Sequence, residues 1–463
     1  MSRYQYCEEW TEEYLFSISK ELEGKKLGEV DLSGSLSNIS NKGAIGNMIQ
    51  HDFFGIPANS DSSADFFHHN IELKVTPIKK IKGGLYSSKE RLVLSMINYM
   101  KAYKEPEFLS SHVYEKTKKM LIVFYLHEEN KSVKDFKIIK TSHFKLSPDK
   151  INDVKKDYNY IIDSILDGEA HLLTEKAAQY LSPCTKGAGN GKDLVNQPFS
   201  EIKAKSRAFS YKNGFMTNYF RELMQPEKIE SLSIPKEESF KVYLKETLDR
   251  YIGKTDSEIC RMINYIPELS TKQGKSYLSI LIKNMFGVKS KNINETKQFV
   301  EESFEMKTVV NRLLKKDNQD MSFPNLDFTE IFSEEFEDSS WYTRFAQTNY
   351  VFIYFEEIRP KEYKLVSYYF WTPDSEIINT SKQLYNYIKD LVVNNKLVIN
   401  IVENDSNGIW TDNFPGKSEF SPFQIRPKGT KKYPFVMLPN GIKIKKKALF
   451  IDKEYIRQFM NKK

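Results

Sequence analysis

Cysteine is scarce in this chain: Cys7, Cys184 and Cys260 stand far apart in 463 residues. Such spacing supplies neither a disulfide framework nor a zinc cluster, and it fits a reducing, cytoplasmic setting. Long hydrophobic runs are missing too. No stretch approaches the roughly 20 apolar residues of a membrane helix, so no membrane association is expected. The opening residues Met1-Ser2-Arg3-Tyr4-Gln5-Tyr6-Cys7-Glu8-Glu9 are acidic and lack the apolar centre of a signal peptide. Excess charge of one sign is small. Sixty-nine Lys and Arg against 62 Asp and Glu leave +7, which leans towards a polyanionic partner without deciding for one. What the chain does have is a globular composition, 40% hydrophobic with 27 Tyr and 31 Phe, at a length that calls for two domains.

Periodicity outlines the order of elements. Residues 8–23 carry Trp10, Tyr14, Leu15, Ile18 and Leu22 at helical spacing, and Gly43–Phe54 reads as a second helix. Ile71-Glu72-Leu73-Lys74-Val75 alternates with period two and reads as a strand that Pro77 should stop. The unbroken apolar run Met120–Tyr125 is expected to be a buried central strand. Helices are expected over Asn152–Leu166 and Glu175–Leu181. Residues 226–239, with Pro226 and Pro235, break the pattern and form a linker between domains at 1–225 and 240–463.

Beyond the linker the order repeats at a nearly constant offset. Phe286-Gly287 follows Phe54-Gly55 by 232, and Glu305-Met306-Lys307 follows Glu72-Leu73-Lys74 by 233. Tyr350–Phe355 repeats the apolar strand, and Leu438–Ile442 parallels Tyr211–Phe215 at 227. A tandem duplication is implied. By the same count Gln298 stands at the place of Asp65, and Ile282 at that of Gln50.

Chemistry concentrates at Asp65, Glu72 and Lys74. Residues two apart on a strand share a face, so Glu72 and Lys74 point together while Ile71, Leu73 and Val75 turn to the core. An acid from the preceding segment completes a carboxylate pair, and with the Leu73 carbonyl it offers the hard oxygens that Mg2+ prefers. A lysine beside such a metal can orient an attacking water or stabilise charge developing on a phosphate. Glu-x-Lys also occurs at Glu23, Glu201 and Glu362, where it lacks this alternation and reads as a solvated ion pair. His68 and His69 read as surface residues, since magnesium prefers oxygen.

Several ordered blocks resemble the MutH family of GATC-specific DNA endonucleases. They are Lys42 to Gly55, Asp65 to Pro77, Ser111 to Lys119, and Tyr180-Leu181-Ser182-Pro183-Cys184-Thr185-Lys186-Gly187. Tyr86–Leu92, Asn196-Gln197-Pro198 and Lys203–Ser210 look like the family's restriction enzymes more than its mismatch-repair nickase. The resemblance implies an α/β fold of two tandem MutH-like domains, each a mixed central sheet flanked by helices, the second catalytically silent. It implies Asp65, Glu72 and the Leu73 carbonyl as magnesium ligands, Lys74 and Lys116 as catalytic lysines, and double-stranded DNA as substrate. Lys186 matches a lysine that reads bases, and Arg207 is grouped with it as a DNA contact.

Three positions depart from the family pattern. A metal-site glutamate is Gln50 here, an arginine near the recognition lysine is Cys184, and a recognition tyrosine is Met216. In the second half, Gln424-Ile425-Arg426-Pro427-Lys428-Gly429 resembles the DNA-contacting loop, and Lys443, Lys445, Lys446 and Lys447 come after it. Arg426 and Lys428 are therefore expected to bind a second site, with homodimer formation on DNA through that half. A GATC nickase and a DNA-binding protein without nuclease activity are the alternative readings.

Overall fold

The computed structural model describes residues 2–38, 43–57, 63–81, 83–128, 131–187, 193–235, 238–274, 276–402, 409–430 and 433–461. The chain divides into two compact units, Met1–Lys228 and Ile229–Lys463. Among the described residues, no helix is long and apolar enough to cross a membrane.

The first unit is built from seven principal strands: β1 (Glu72–Lys80), β2 (Tyr86–Ser88), β3 (Leu92–Met96), β4 (Met120–Leu126), β5 (Lys137–Phe144), β6 (Leu181–Thr185) and β7 (Arg207–Tyr211). One sheet runs β2-β1-β4-β5, with β1 parallel to β4 and the other pairs antiparallel. A smaller antiparallel sheet runs β3-β7-β6. Every residue of β4 is buried, and the strand feeds two cores. Met120, Ile122 and Phe124 pack with Ile161, Phe209 and Phe220; Leu121, Val123 and Tyr125 pack with Ile49, Phe53 and Phe66. Helices Glu12–Ser19 and Pro148–Leu166 form where periodicity placed them. The helix expected over Gly43–Phe54 is α-helical at Ala44–Met48 and widens to a π turn at Ile49–Phe53.

Two expectations fail for backbone reasons. Pro77 does not end β1. Glu72 and Ile78 bond towards β4, through Lys119 O and the His127 amide, whereas Pro77 faces the other edge, where its carbonyl accepts the Lys89 amide. Pairing with β2 begins only at Ile78, so the amide hydrogen that proline lacks would have had no strand partner. Residues Glu175–Leu181 form no helix. The buried Asp157 carboxylate instead accepts the amides of Gln179 (2.7 Å), Tyr180 (2.6 Å) and Leu181 (2.8 Å), holding that backbone extended as it enters β6.

The second unit repeats the plan with β8 (Phe304–Asn311), β9 (Met321–Asn325), β10 (Asn349–Arg359), β11 (Glu362–Trp371), β12 (Phe423–Pro427) and β13 (Lys447–Ile451). Its main sheet runs β8-β10-β11, again with the first pair parallel, and β9-β13-β12 is the counterpart of β3-β7-β6. Registers agree residue by residue. Glu72 lies opposite Met120 as Glu305 lies opposite Tyr350, and Arg207 lies opposite Thr185 as Lys447 lies opposite Pro427. Tyr350, Phe352 and Tyr354 enter one core and Val351, Ile353 and Phe355 the other. Gly55 and Gly287 take the same left-handed φ, 69° and 68°.

One proposed parallel is wrong. Tyr211–Phe215 spans the junction of β7 with helix Asn213–Met224, whereas Leu438–Ile442 lies in the turn joining Phe435–Met437 to Lys443–Lys445. The structural counterpart of the first is Ile451 leading into helix Lys453–Arg457, because β13 and not that hairpin occupies the central position.

Replacing Asp157 with Ala leaves three buried amides without their acceptor, at about 1–3 kcal/mol each. Denaturant unfolding should show a loss of about 3 kcal/mol or more, against less than about 1 kcal/mol for a surface aspartate such as Asp153.

Candidate active site

A tight reversal brings Asp65 to β1. Phe66 and Ile71 exchange backbone bonds of 2.9 and 3.3 Å, and Asn70 between them takes a left-handed φ of 52°, which asparagine tolerates. Asn70 Nδ2 donates to Glu115 O (3.3 Å), tying the reversal to the helix that carries Lys116. That helix, His112–Thr117, starts at a Ser111 cap whose Oγ accepts the Tyr114 amide. Asp65 Oδ2 then accepts the Leu73 amide at 2.9 Å.

Four predicted side chains converge. Lys74 Nζ lies 2.8 Å from Glu72 Oε1 and 3.2 Å from Leu94 O, and Lys116 Nζ lies 3.6 Å from the same Glu72 oxygen. Both ammonium groups thus address Oε1. Glu72 is 4% exposed, and its Oε2 is buried with no hydrogen-bond partner. Burial, and then the charge of Glu72, push the Asp65 carboxyl up to about 6; the Leu73 amide, Lys74 and Lys116 pull the other way.

These features fit a divalent cation. A buried acceptor without a donor and a carboxyl whose ionisation is opposed by its neighbour both gain from positive charge between them. Among the described residues, no group of three His, Cys, Asp or Glu gathers to hold a metal. Two carboxylates and a carbonyl suit magnesium, which keeps waters in its shell, and do not suit zinc. Gln50 lies half-buried on the π turn Ile49–Phe53, next to the short helix that packs on β1. Such turns are frequent at functional sites.

The expected DNA contacts divide. Lys186 is half-buried just beyond β6, its amide bonded to Ser206 O. Gly187 has φ 102°, and a Cβ there would lie 2.5 Å from Asp193 Cβ, so this approach of the loop to its return strand requires glycine. Gly189 and Gly191 lie outside the described residues. Arg207 and Met216 are not surface groups. Arg207 is 7% exposed and its guanidinium donates to the carbonyls of Pro183 and Leu173, bracing β6 from inside. Met216 is fully buried in the core with Phe215 and Phe220. Sequence reading missed Arg91, whose guanidinium donates to Thr185 O (3.3 Å) and links the Tyr86–Leu92 block to β6.

In the second unit Glu305 and Lys307 again form a pair, at 2.6 Å. The residue at the place of Asp65 is Asn294, not Gln298. Asn294 Oδ1 accepts the Met306 amide (2.7 Å), as Asp65 accepts that of Leu73, and its Nδ2 donates to Met306 O (3.2 Å). Gln298 is held elsewhere, on the backbone of Leu232. Counting from β8 misassigned the position because the two reversals differ in length. Arg344 stands where Lys116 does, five residues after the capping serine in each unit (Ser339 and Ser111). That shared Ser cap was the signal available in the sequence. Arg426 pairs with Asp320 (2.6 Å), and Lys428 donates to Ser322 Oγ and Phe323 O. Lys447, the last lysine of the basic run, is buried in an ion pair with Asp412.

Comparison with known proteins agrees with this geometry. The family model of the DNA mismatch repair enzyme MutH matches residues 54–157, the stretch holding Asp65, Glu72, Lys74 and Lys116. The type II restriction enzyme Sau3AI of Staphylococcus aureus is 34% identical over 351 residues, 74% of this chain and 70% of that enzyme. The chain belongs to the MutH-related type II restriction endonucleases. Members of that family are site-specific DNA endonucleases, and this chain carries a restriction-endonuclease-like fold.

Because the Asp65 carboxyl titrates above its ordinary 3.8, its contribution to folding stability is full below pH 3.8 and is lost as the pH rises through about 6. The cost at neutral pH is about 3 kcal/mol in metal-free protein. Asp65→Asn keeps the acceptor for Leu73 and should raise metal-free stability by up to that amount at pH 7.5 and by nothing at pH 3.5. Magnesium should stabilise the parent and not the variant; thermal unfolding with and without the ion measures both.

Proposed function

We propose that this endonuclease cuts both strands of double-stranded DNA at GATC in a magnesium-dependent reaction carried out by residues 1–225. The observation that carries the reading is the convergence of Lys74 and Lys116 on Glu72 Oε1 beside Asp65, with Glu72 Oε2 left without a donor. Asp65, Glu72 and the Leu73 carbonyl would hold the metal, with Gln50 nearby. Bound there, magnesium would polarise the phosphodiester and make a water more acidic.

The chain's own groups do the rest. The Leu73 amide fixes one Asp65 oxygen, leaving the other for the cation. Lys74, held by Glu72 and Leu94 O, is poised to orient the attacking water or to offset charge developing on the phosphate. Lys116 adds a second ammonium from its own capped helix, near the scissile phosphate. Lys186 reads bases as a donor to guanine O6 and N7, on a loop whose course Gly187 and the buried Arg207 set.

The second unit is proposed to be catalytically silent and to bind a second DNA site. Asn294 in place of a carboxylate supports the first part, Arg426 and Lys428 the second. Homodimer formation on DNA and a cytoplasmic location belong to the same proposal.

Lys74→Ala should abolish plasmid cleavage in magnesium while duplex binding stays within about threefold; undiminished cutting would remove Lys74 from the mechanism. Mapping the ends tests GATC, and nicks confined to one strand would favour a repair nickase instead. Replacing Arg426 and Lys428 with Ala should depress cleavage of two-site plasmids more than that of one-site plasmids, and equal loss on both would count against a sensing half.

A further inference from the structure

We propose that the second unit's counterpart of the active site binds a phosphate of duplex DNA directly, without a metal, through Lys307, Arg344 and Lys428. The inference rests on the reading of that unit as DNA-binding and names the chemistry by which it binds.

Three cations gather around Phe323. Lys307 Nζ lies 4.9 Å and Arg344 Cζ 5.4 Å from its ring centroid, and Lys428 Nζ lies 2.7 Å from its carbonyl oxygen. Glu305 pairs with Lys307; among the described ion pairs no carboxylate sits on Arg344 or Lys428. Asp320, at the edge of the group, is held by Arg426 and by the Lys453 amide. Lys428 is an exposed residue, yet its ammonium is held below the ordinary lysine range by desolvation and then by the Lys307 and Arg344 charges.

The contrast with the first unit decides the sign of the ligand. There, Asp65 and Glu72 face Lys74 and Lys116, two charges against two. Here Asn294 removes one carboxylate, and its Nδ2 takes up Met306 O, the counterpart of the Leu73 carbonyl. Lys428, at the register position of Lys186, brings its ammonium onto Phe323 O, the counterpart of the Leu94 O that Lys74 holds in the first unit, so three cations face one carboxylate. A site that has lost an oxygen ligand and gained an ammonium repels a cation and attracts an anion. Arginine in place of Lys116 adds a planar fork suited to phosphate oxygens.

The test uses the full chain carrying Lys74→Ala, in EDTA, with a labelled GATC duplex and a salt series. Two duplexes should bind per chain. Arg344→Gln and Lys307→Gln should each weaken the second about tenfold and take about one unit from its log–log salt slope, while Arg344→Lys preserves most of both. Asn294→Asp, which is isosteric and keeps the acceptor for Met306, should weaken the second duplex to a similar degree. Unchanged affinity and slope in Arg344→Gln and Asn294→Asp, with two duplexes still bound, would overturn the phosphate site and leave DNA binding by that unit standing. One duplex per chain, with inorganic phosphate raising the melting temperature in a way Arg344→Gln removes, would overturn both DNA as the source and the DNA-binding reading.

Discussion

Two carboxylates held against each other at low exposure are the constraint around which the first unit is arranged. Left alone, Asp65 and Glu72 could not both ionise cheaply, and the Asp65 carboxyl moves to about 6 accordingly. The Leu73 amide, Lys74 and Lys116 offset part of that cost, the first two delivered by β1 and the third by a capped helix. The parallel pairing of β1 with β4 sets the depth at which Glu72 sits, because β4 is buried along its whole length. The site is therefore strained in charge rather than in backbone.

In the second unit that constraint is released. With Asn294 at the acid position, the same strand, register and reversal persist without the repulsion. A neutral amide bonds both the amide hydrogen and the carbonyl of Met306, so that carbonyl already carries a hydrogen bond. Conservation of frame and loss of charge have therefore been separated within one chain. The frame is maintained by apolar packing on both faces of β10, which is indifferent to the residue standing at the strand's entrance.

Much of this was legible in the sequence. Strand β4, the two-residue spacing of Glu72 and Lys74, and the repeat of that spacing 233 residues later are period and composition, which a linear reading sees directly. The features that escaped it depended on where backbone bonds go. Pro77 continues β1 because its missing donor faces an edge with no strand partner at that position, and Glu175–Leu181 is extended because Asp157 lies 22 to 24 residues away in sequence. Arg207 and Met216 were expected to contact DNA, yet their side chains turn inward. Asn294 was missed because an offset fixed on a strand does not survive a loop of different length.

The sheet edge beyond β1 shows a further role for the acid. On that edge the strand presents Leu73, Val75 and Pro77, and two of these three offer no amide hydrogen: Asp65 occupies that of Leu73, and Pro77 has none. In the second unit, among the described residues, no strand pairs with the outer side of β8, and there Asn294 covers both groups of Met306 while Arg457 donates to Val310 O. Exposed strand edges invite pairing with another chain, and side chains that consume their hydrogen-bonding groups prevent it. The residue at the acid position thus guards each unit against strand addition, a duty that an amide performs as well as a carboxylate.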